Sequence, residues 1–250
     1  MRLTVLGCSP SFPNPGGACS GYLLETEETR LLMECGHGVC ARLIEATDIE
    51  QLTAILITHM DPDHFFDLVP LKYEYRFAYH RDSPVPLLLP PHGSDVLRRL
   101  GEAFGTGPLL GEAFEVTEYD PQVSRPIGDL KVTFAPTRHY IEGYAVRAEH
   151  GAAPAFCFSS DTAFSESVQA LARDAGLFLC EASLLRHPPD ETVNGHMTSV
   201  EAATLARGAS VDRLLLTHYP RALEKELLKV ARGLFPGQVE LAREGQSYEI

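Results

Sequence analysis

Apolar and polar positions exchange between a period of two and a period near 3.6 along nearly the whole chain, with glycine and proline at the switches. Leu3–Leu6, Gly21–Thr26 and Arg30–Met33 have strand length and composition and read as a short meander. Val39–Thr47 takes helical spacing, and the apolar run Ala54–Ile57 that follows reads as a buried strand. Pro84–Leu89, closed by Pro90-Pro91, is a further strand, and Ser94 is a suitable N-cap for a helix over Asp95–Phe104. Gly105–Gly111 is glycine-rich and reads as a loop. Phe114–Tyr119, Leu130–Ala135, Tyr144–Ala148 and Ala155–Phe158 then repeat the meander. The last third alternates again: helix Ser165–Ala172, strand Leu177–Cys180, helix Ser199–Arg207, strand Arg213–Leu216, helix Ala222–Arg232. No linker, repeat or charge block divides the chain, so residues 1–250 read as one α/β domain with helices packed outside two sheets.

Composition narrows the class. At 250 residues, 44% hydrophobic and 22% charged, the chain has the make-up of a globular protein with a sizeable core. No apolar run approaches the ~20 residues that span a bilayer, so no membrane association is expected. Met1-Arg2-Leu3-Thr4-Val5-Leu6-Gly7 reads as a strand and turn rather than a secretory signal, which places the protein in the cytoplasm. The balance of 21 basic against 34 acidic residues gives −13 and argues against stable binding of duplex nucleic acid. A small phosphorylated substrate or a short nucleic acid stays open, because bound divalent cations would reverse the local field. The six cysteines form no C-x-x-C pair. Cys157 and Cys180 lie in apolar strands and read as small buried hydrophobes. Cys35 and Cys40 flank Gly36-His37-Gly38, which sets metal binding against reduced thiols without chemistry.

The chemistry concentrates at strand ends. Directly after Ala54–Ile57 comes Thr58-His59-Met60-Asp61-Pro62-Asp63-His64, four potential ligands that a tight turn would let converge. Alone, such a run could be a polar turn. Three further strands end in the same grammar: His139 after Leu130–Ala135, Asp161 after Ala155–Phe158, and His218 after Arg213–Leu216. Singly, His139 could be a surface histidine and Asp161 an N-cap for the next helix. Thr217-His218 repeats Thr58-His59, and a histidine buried at a strand end without a partner is unfavourable. Together these positions indicate a binuclear site with imidazole and carboxylate donors, a set that suits zinc, manganese or iron.

These residues carry a resemblance. From Leu3-Thr4-Val5-Leu6-Gly7-Cys8 through Glu34-Cys35-Gly36, the Thr58–His64 run, His139, Ser160-Asp161-Thr162 and Thr217-His218-Tyr219, the chain resembles the metallo-β-lactamase fold superfamily. Cys180-Glu181-Ala182-Ser183 and Gly195-His196-Met197-Thr198-Ser199 resemble the branch of ribonuclease Z and related phosphodiesterase-like hydrolases. The resemblance implies a four-layer αββα sandwich and two divalent metal ions, zinc in the first place. His59, the residue at 61 and His139 would hold one ion; Asp63, His64 and His218 the other; Asp161 would bridge them. Two such ions can share a water and lower its pKa. The implied catalytic set is Asp63, which orients or deprotonates that water, and His196, which Glu181 positions beside the leaving oxygen. The other reading of His196 is a loop residue ahead of a helix capped by Thr198 or Ser199. The family pattern has histidine where this chain has Asp61, and the extra anion favours harder cations such as manganese and could leave one site weaker. Glu34 stands where the pattern usually has aspartate and reads as structural support.

Three functions follow as expectations. A binuclear phosphodiesterase comes first, because leaving-group help from His196 suits a departing alkoxide. A tRNA 3′-end endoribonuclease of the ribonuclease Z type comes second, since the short stretch between His139 and Asp161 leaves no room for a tRNA-binding arm. A catalytically silent metal-binding homologue, with Asp61 marking lost activity, is the third. Phe65, Phe66, Tyr73, Tyr75, Phe77 and Tyr79 read as helix core, as a homodimer interface, or in part as a stacking surface in the cleft.

Overall fold

A computed structural model describes residues 1–79, 83–105, 110–111, 113–187 and 195–250. The first sheet takes β1 (Arg2–Gly7), β2 (Gly21–Glu25), β3 (Arg30–Met33), β4 (Ala54–Leu56), β5 (Val85–Leu89), β6 (Phe114–Glu118) and β14 (Ser247–Glu249), in the order β14-β1-β2-β3-β4-β5-β6. Its β14-to-β3 side is antiparallel and its β3-to-β6 side parallel. The second sheet takes β7 (Arg125–Ile127), β8 (Leu130–Pro136), β9 (Tyr144–Glu149), β10 (Phe156–Phe158), β11 (Leu177–Glu181), β12 (Arg213–Thr217) and β13 (Gln238–Leu241). There β10 to β13 run parallel and β7 to β10 antiparallel.

Both faces of the first sheet are apolar, which explains why its strands read as runs rather than as strict alternation. Leu3, Val5, Tyr22, Leu24, Leu31 and Met33 point toward the second sheet and join Phe156, Phe158 and Phe178 in one core. Leu6, Leu23, Leu32 and Ile55 point the other way, onto Leu43 of α1 (Val39–Ala46), Leu71 of α3 (Leu68–Phe77) and Leu97 of α4 (Gly93–Phe104). On the far side, α5 (Glu166–Leu171), α6 (Ser199–Gly208) and α7 (Glu224–Leu234) cover the second sheet through Val168, Ala203 and Leu227. The result is a four-layer αββα sandwich. Each fully buried leucine contributes about 1.5–3 kcal/mol, and an aspartate at Leu24 would leave an unpaired charge between the sheets.

Polar contacts also cross the sandwich. The Tyr22 and Phe158 rings meet with centroids 5.1 Å apart, and Tyr22 Oη lies 2.7 Å from Thr217 Oγ1. At the end where β2 turns into β3, Thr26 and Thr29 donate to the Asp129 carboxylate, which belongs to the β7–β8 turn of the other sheet.

Several local expectations change. Strands β7, β13 and β14 were not expected from the sequence, and all three lie at sheet edges, where short, polar or proline-containing strands are the norm. Ser94 is not at the N-cap of α4; His92 holds that position, at φ 64° and without a side-chain cap, and the Ser94 N–H donates to Glu118 Oε1 at 3.0 Å. Of the expected loop Gly105–Gly111, residues 106–109 lie outside the described residues. Phe65 and Tyr75 are core, whereas Phe66, Tyr73 and Phe77 are exposed. No helix among the described residues is long and apolar enough to cross a membrane.

Candidate metal centre

The site forms where four strand ends meet. His59 and Asp61 follow β4 in extended backbone, and the expected tight turn closes into a single helical turn, α2 (Pro62–Phe65), with Pro62 at its start. That turn carries Asp63 and His64. It presses so closely on the loop after β3 that a Cβ on Gly36 would sit 1.8 Å from the Asp63 carbonyl oxygen, so only glycine fits. His139 follows β8, Asp161 follows β10 and His218 follows β12. Glu34, Ser160 and His218 all have left-handed backbone, at φ 61°, 54° and 55°, a strained conformation for residues with a Cβ. These kinks turn the chain sharply off β3, β10 and β12, so the side chains that follow face inward.

Asp161 Oδ2 is the hub. It lies 3.2 Å from His218 Nε2, 3.4 Å from His64 Nε2, 3.8 Å from His196 Nδ1 and 3.9 Å from His59 Nε2. On one side, Asp63 Oδ2 is 3.1 Å from His218 Nε2 and 3.4 Å from His64 Nε2. On the other, Asp61 Oδ2 is 2.9 Å from His139 Nε2 and 3.7 Å from His59 Nε2. Asp63, His64, Asp161 and His218 thus form one group with ligand spacing, and His59, Asp61 and His139 another.

His59, His139 and His218 are held from behind by hydrogen bonds, which fix their tautomers and orientations. His139 Nδ1 donates to the Gly195 carbonyl at 2.8 Å. His59 Nδ1 lies 3.0 Å from Thr58 Oγ1, itself 2.6 Å from Ser160 Oγ and donating to Glu34. Glu34 also stands 3.5 Å from His64 Nδ1. His218 Nδ1 meets Ser183 Oγ at 2.8 Å, and that hydroxyl is 2.8 Å from Glu181 Oε2. Fully buried Glu181 also accepts the Thr162 N–H at 2.7 Å and holds His196 Nδ1 at 3.0 Å.

The electrostatics suit a cation. Burial would raise the Asp63 carboxyl, but His64 and His218 hold it well below the usual carboxylate range. Burial acts the same way on Asp161, and His218, His64 and His59 override it. Burial, reinforced by His64, keeps the His59 imidazole neutral. Burial lowers His196, yet Glu181 lifts it to about 9. Ionised carboxylates and neutral imidazole are the ligand forms. Burial lowers His64 and His139 too, but Asp161, Glu34 and Asp63 raise the first and Asp61 the second, so at those two rings a cation would take the place of a proton. His59 Nε2 and His64 Nε2 are also buried without a hydrogen-bond partner, a costly condition that a cation would relieve. The donors present therefore fit divalent metal.

Every residue assigned a ligand or catalytic role by the resemblance reaches this cluster: His59, Asp61, Asp63, His64, His139, Asp161 and His218, with Glu181 and His196 at its edge. The N-cap alternative for Asp161 fails, because Ser165 holds the N-cap position of α5. Thr198 does cap α6, through a capping box with Glu201, while His196 just ahead of it faces the cluster. Cys35 and Cys40 are buried thiols raised by desolvation and belong to no ligand group among the described residues. Sequence reasoning left Thr58, Ser160 and Ser183 without roles, although each stands beside a ligand or Glu181 in the strand-end motifs.

Fold and site together define an αββα sandwich with a histidine–aspartate centre at one rim. A Beta-lactamase superfamily domain matches residues 29–219. The chain is 30% identical over the full length of both chains to a probable metallo-hydrolase, YhfI, from Bacillus subtilis. It therefore belongs to the beta-lactamase superfamily. The crystal structure of YhfI superposes with TM-score 0.88 at 27% identity, covering 99% of each chain. A ribonuclease Z from Mycobacterium sp. (strain KMS) is 29% identical across 100% of this chain and 96% of its own length. A diphosphatase of the PhnP family shares the fold, with TM-score 0.76 at 20% identity, covering 100% of this chain and 97% of that one.

Proposed function

We propose that this chain is a binuclear, metal-dependent phosphodiesterase, and the observation that carries the reading is the His196–Glu181 pair set against the cluster around Asp161. His59, Asp61 and His139 would hold one divalent ion, and Asp63, His64 and His218 the other, with Asp161 touching both. Zinc suits these donors; Asp61 makes manganese or iron the alternative. Bound there, the ions would polarise a phosphoryl oxygen and acidify a water. Asp63 takes a proton from the attacking water at Oδ. Glu181 pins Nδ1 of His196, which leaves Nε2 to deliver a proton to the departing oxygen. A poor leaving group such as an alkoxide needs that proton, which favours phosphate diesters over chemistry with acidic leaving groups. The relative named ribonuclease Z and the diphosphatase fold neighbour support a phosphate-ester substrate.

Turnover of bis(p-nitrophenyl) phosphate with added zinc or manganese, lost in Asp63→Ala, is the expected result. No turnover with any of several divalent metals would reject the reading. A precursor-tRNA endonuclease is the second reading, favoured by full-length similarity to ribonuclease Z. The segment from His139 to Asp161 is filled by β9, a turn and β10, with no arm, and the net charge is −13. Salt-sensitive cleavage of precursor tRNA would reverse the order.

Both sheets contribute donors, which supports reading residues 1–250 as one domain. The six free, buried thiols suit a reducing cytoplasm. Phe66, Pro70, Tyr73 and Phe77 line the exposed side of α2 and α3 at helical spacing and suit an interface with a second copy. Light scattering should give twice 27.4 kDa, falling to one chain in Phe77→Glu.

A further inference from the structure

Among the described residues, Glu34, Ser160 and His218 combine left-handed backbone with a buried side chain, and all three stand at the metal centre. The other left-handed residues with a Cβ, His92, Asp174 and Ser210, are exposed. Glu34 and His218 use the kink to bring in a carboxylate and an imidazole. Ser160, at φ 54° and fully buried, has no such part yet. Glycine takes this backbone at no steric cost, and the chain uses it so at Gly128 and Gly151, at φ 56° and 55°. What serine brings and glycine lacks is the hydroxyl.

Ser160 Oγ lies 2.6 Å from Thr58 Oγ1 and 3.3 Å from His59 Nδ1. Thr58 donates its one proton to Glu34, so the proton between the two hydroxyls comes from Ser160. Thr58 and His59 follow β4 in the first sheet, whereas Ser160 and Asp161 follow β10 in the second. The bond therefore ties the sheets together one residue away from His59 and Asp161, whose Nε2 and Oδ2 are 3.9 Å apart. We propose that Ser160 is a positioning residue: its hydroxyl sets His59 against Asp161 for the ion that His59, Asp61 and His139 would hold, and the strained backbone is kept for that hydroxyl. The inference rests on the metal-binding part of the proposed function and deepens it.

The test is calorimetric titration of zinc into the metal-stripped full chain, read as two dissociation constants, beside melting curves of the same metal-free samples. Ser160→Ala removes the hydroxyl and keeps the strain; Ser160→Gly removes both. One dissociation constant should rise about 10–100-fold, equally in the two variants. Ser160→Gly should nevertheless melt about 2–10 °C above Ser160→Ala, because its backbone is relaxed. A purely structural role would make zinc affinity follow stability. Zinc affinity restored in Ser160→Gly, or unchanged in both variants, overturns the assignment. Turnover of bis(p-nitrophenyl) phosphate by the wild type separates the two ideas. Weaker zinc binding in both variants without wild-type turnover removes only the phosphodiesterase reading, and turnover with unchanged zinc affinities removes only the role of Ser160.

Discussion

Glu181 Oε1 lies 3.0 Å from His196 Nδ1, while Oε2 of the same carboxylate accepts the Met197 N–H at 3.2 Å. One buried side chain thus fixes both the imidazole and the backbone that carries it. With Nδ1 held by Glu181, Nε2 is the ring nitrogen of His196 that remains for a ligand.

That geometry makes the importance of His196 depend on the leaving group. His196→Ala should lower kcat by about 10²–10⁴-fold for diesters with alkyl leaving groups. Activity on p-nitrophenyl esters should change far less, because p-nitrophenolate departs without a proton. Steady-state kinetics on the two substrates, with metal content held equal, checks this. An equal loss on both would assign His196 to ligand support instead.

Removing metal should loosen the fold. Each ion present at about 100 times its Kd adds roughly 2.7 kcal/mol, or about 5–10 °C in Tm for a chain of this size, and two ions about twice that. Chelation should therefore lower Tm by that amount, and elemental analysis should find two ions per chain. Asp161→Asn, which weakens the donor facing both groups, should retain fewer than one. An unchanged melting curve after chelation would favour a silent homologue.

Asp61 Oδ2 stands 2.9 Å from His139 Nε2 and its side chain is 34% exposed, so a change there perturbs the centre more than the core. Asp61→His should raise affinity for zinc relative to manganese, since imidazole is the softer donor. Competition titration of the two metals, read as bound stoichiometry, shows the shift directly.

Gly36→Ala forces a methyl group into the Asp63 carbonyl. The cost is about 1–3 kcal/mol of stability, as for other overpacked sites. Thermal unfolding should show it, together with poorer metal retention, because the displaced segment carries Asp63 and His64.

The positions that converge on Asp161 were legible because each is local: an apolar run, a polar residue, then a histidine or aspartate at the strand end. Of the groups that support them, Glu34 and Glu181 came from the resemblance, but Thr58, Ser160 and Ser183 were not legible, since their partners are distant along the chain. Glu34 reaches Thr58, and Thr58 reaches Ser160, 102 positions away. No periodicity reports such pairings. The missing strands share another cause. β7, β13 and β14 each bury one face at most and sit at sheet edges, so they never acquire the apolar runs that mark β4 or β11.

The Thr26–Asp129 and Thr29–Asp129 contacts close the sandwich at the end opposite the histidines, and they need no ion. At the other end, hydrogen bonds such as Thr58–Ser160 also join the sheets, and bound ions would add to them. Removing ions should therefore loosen one end selectively: amide exchange would quicken around His59 and His218, while the Thr26–Thr29 hairpin stayed protected.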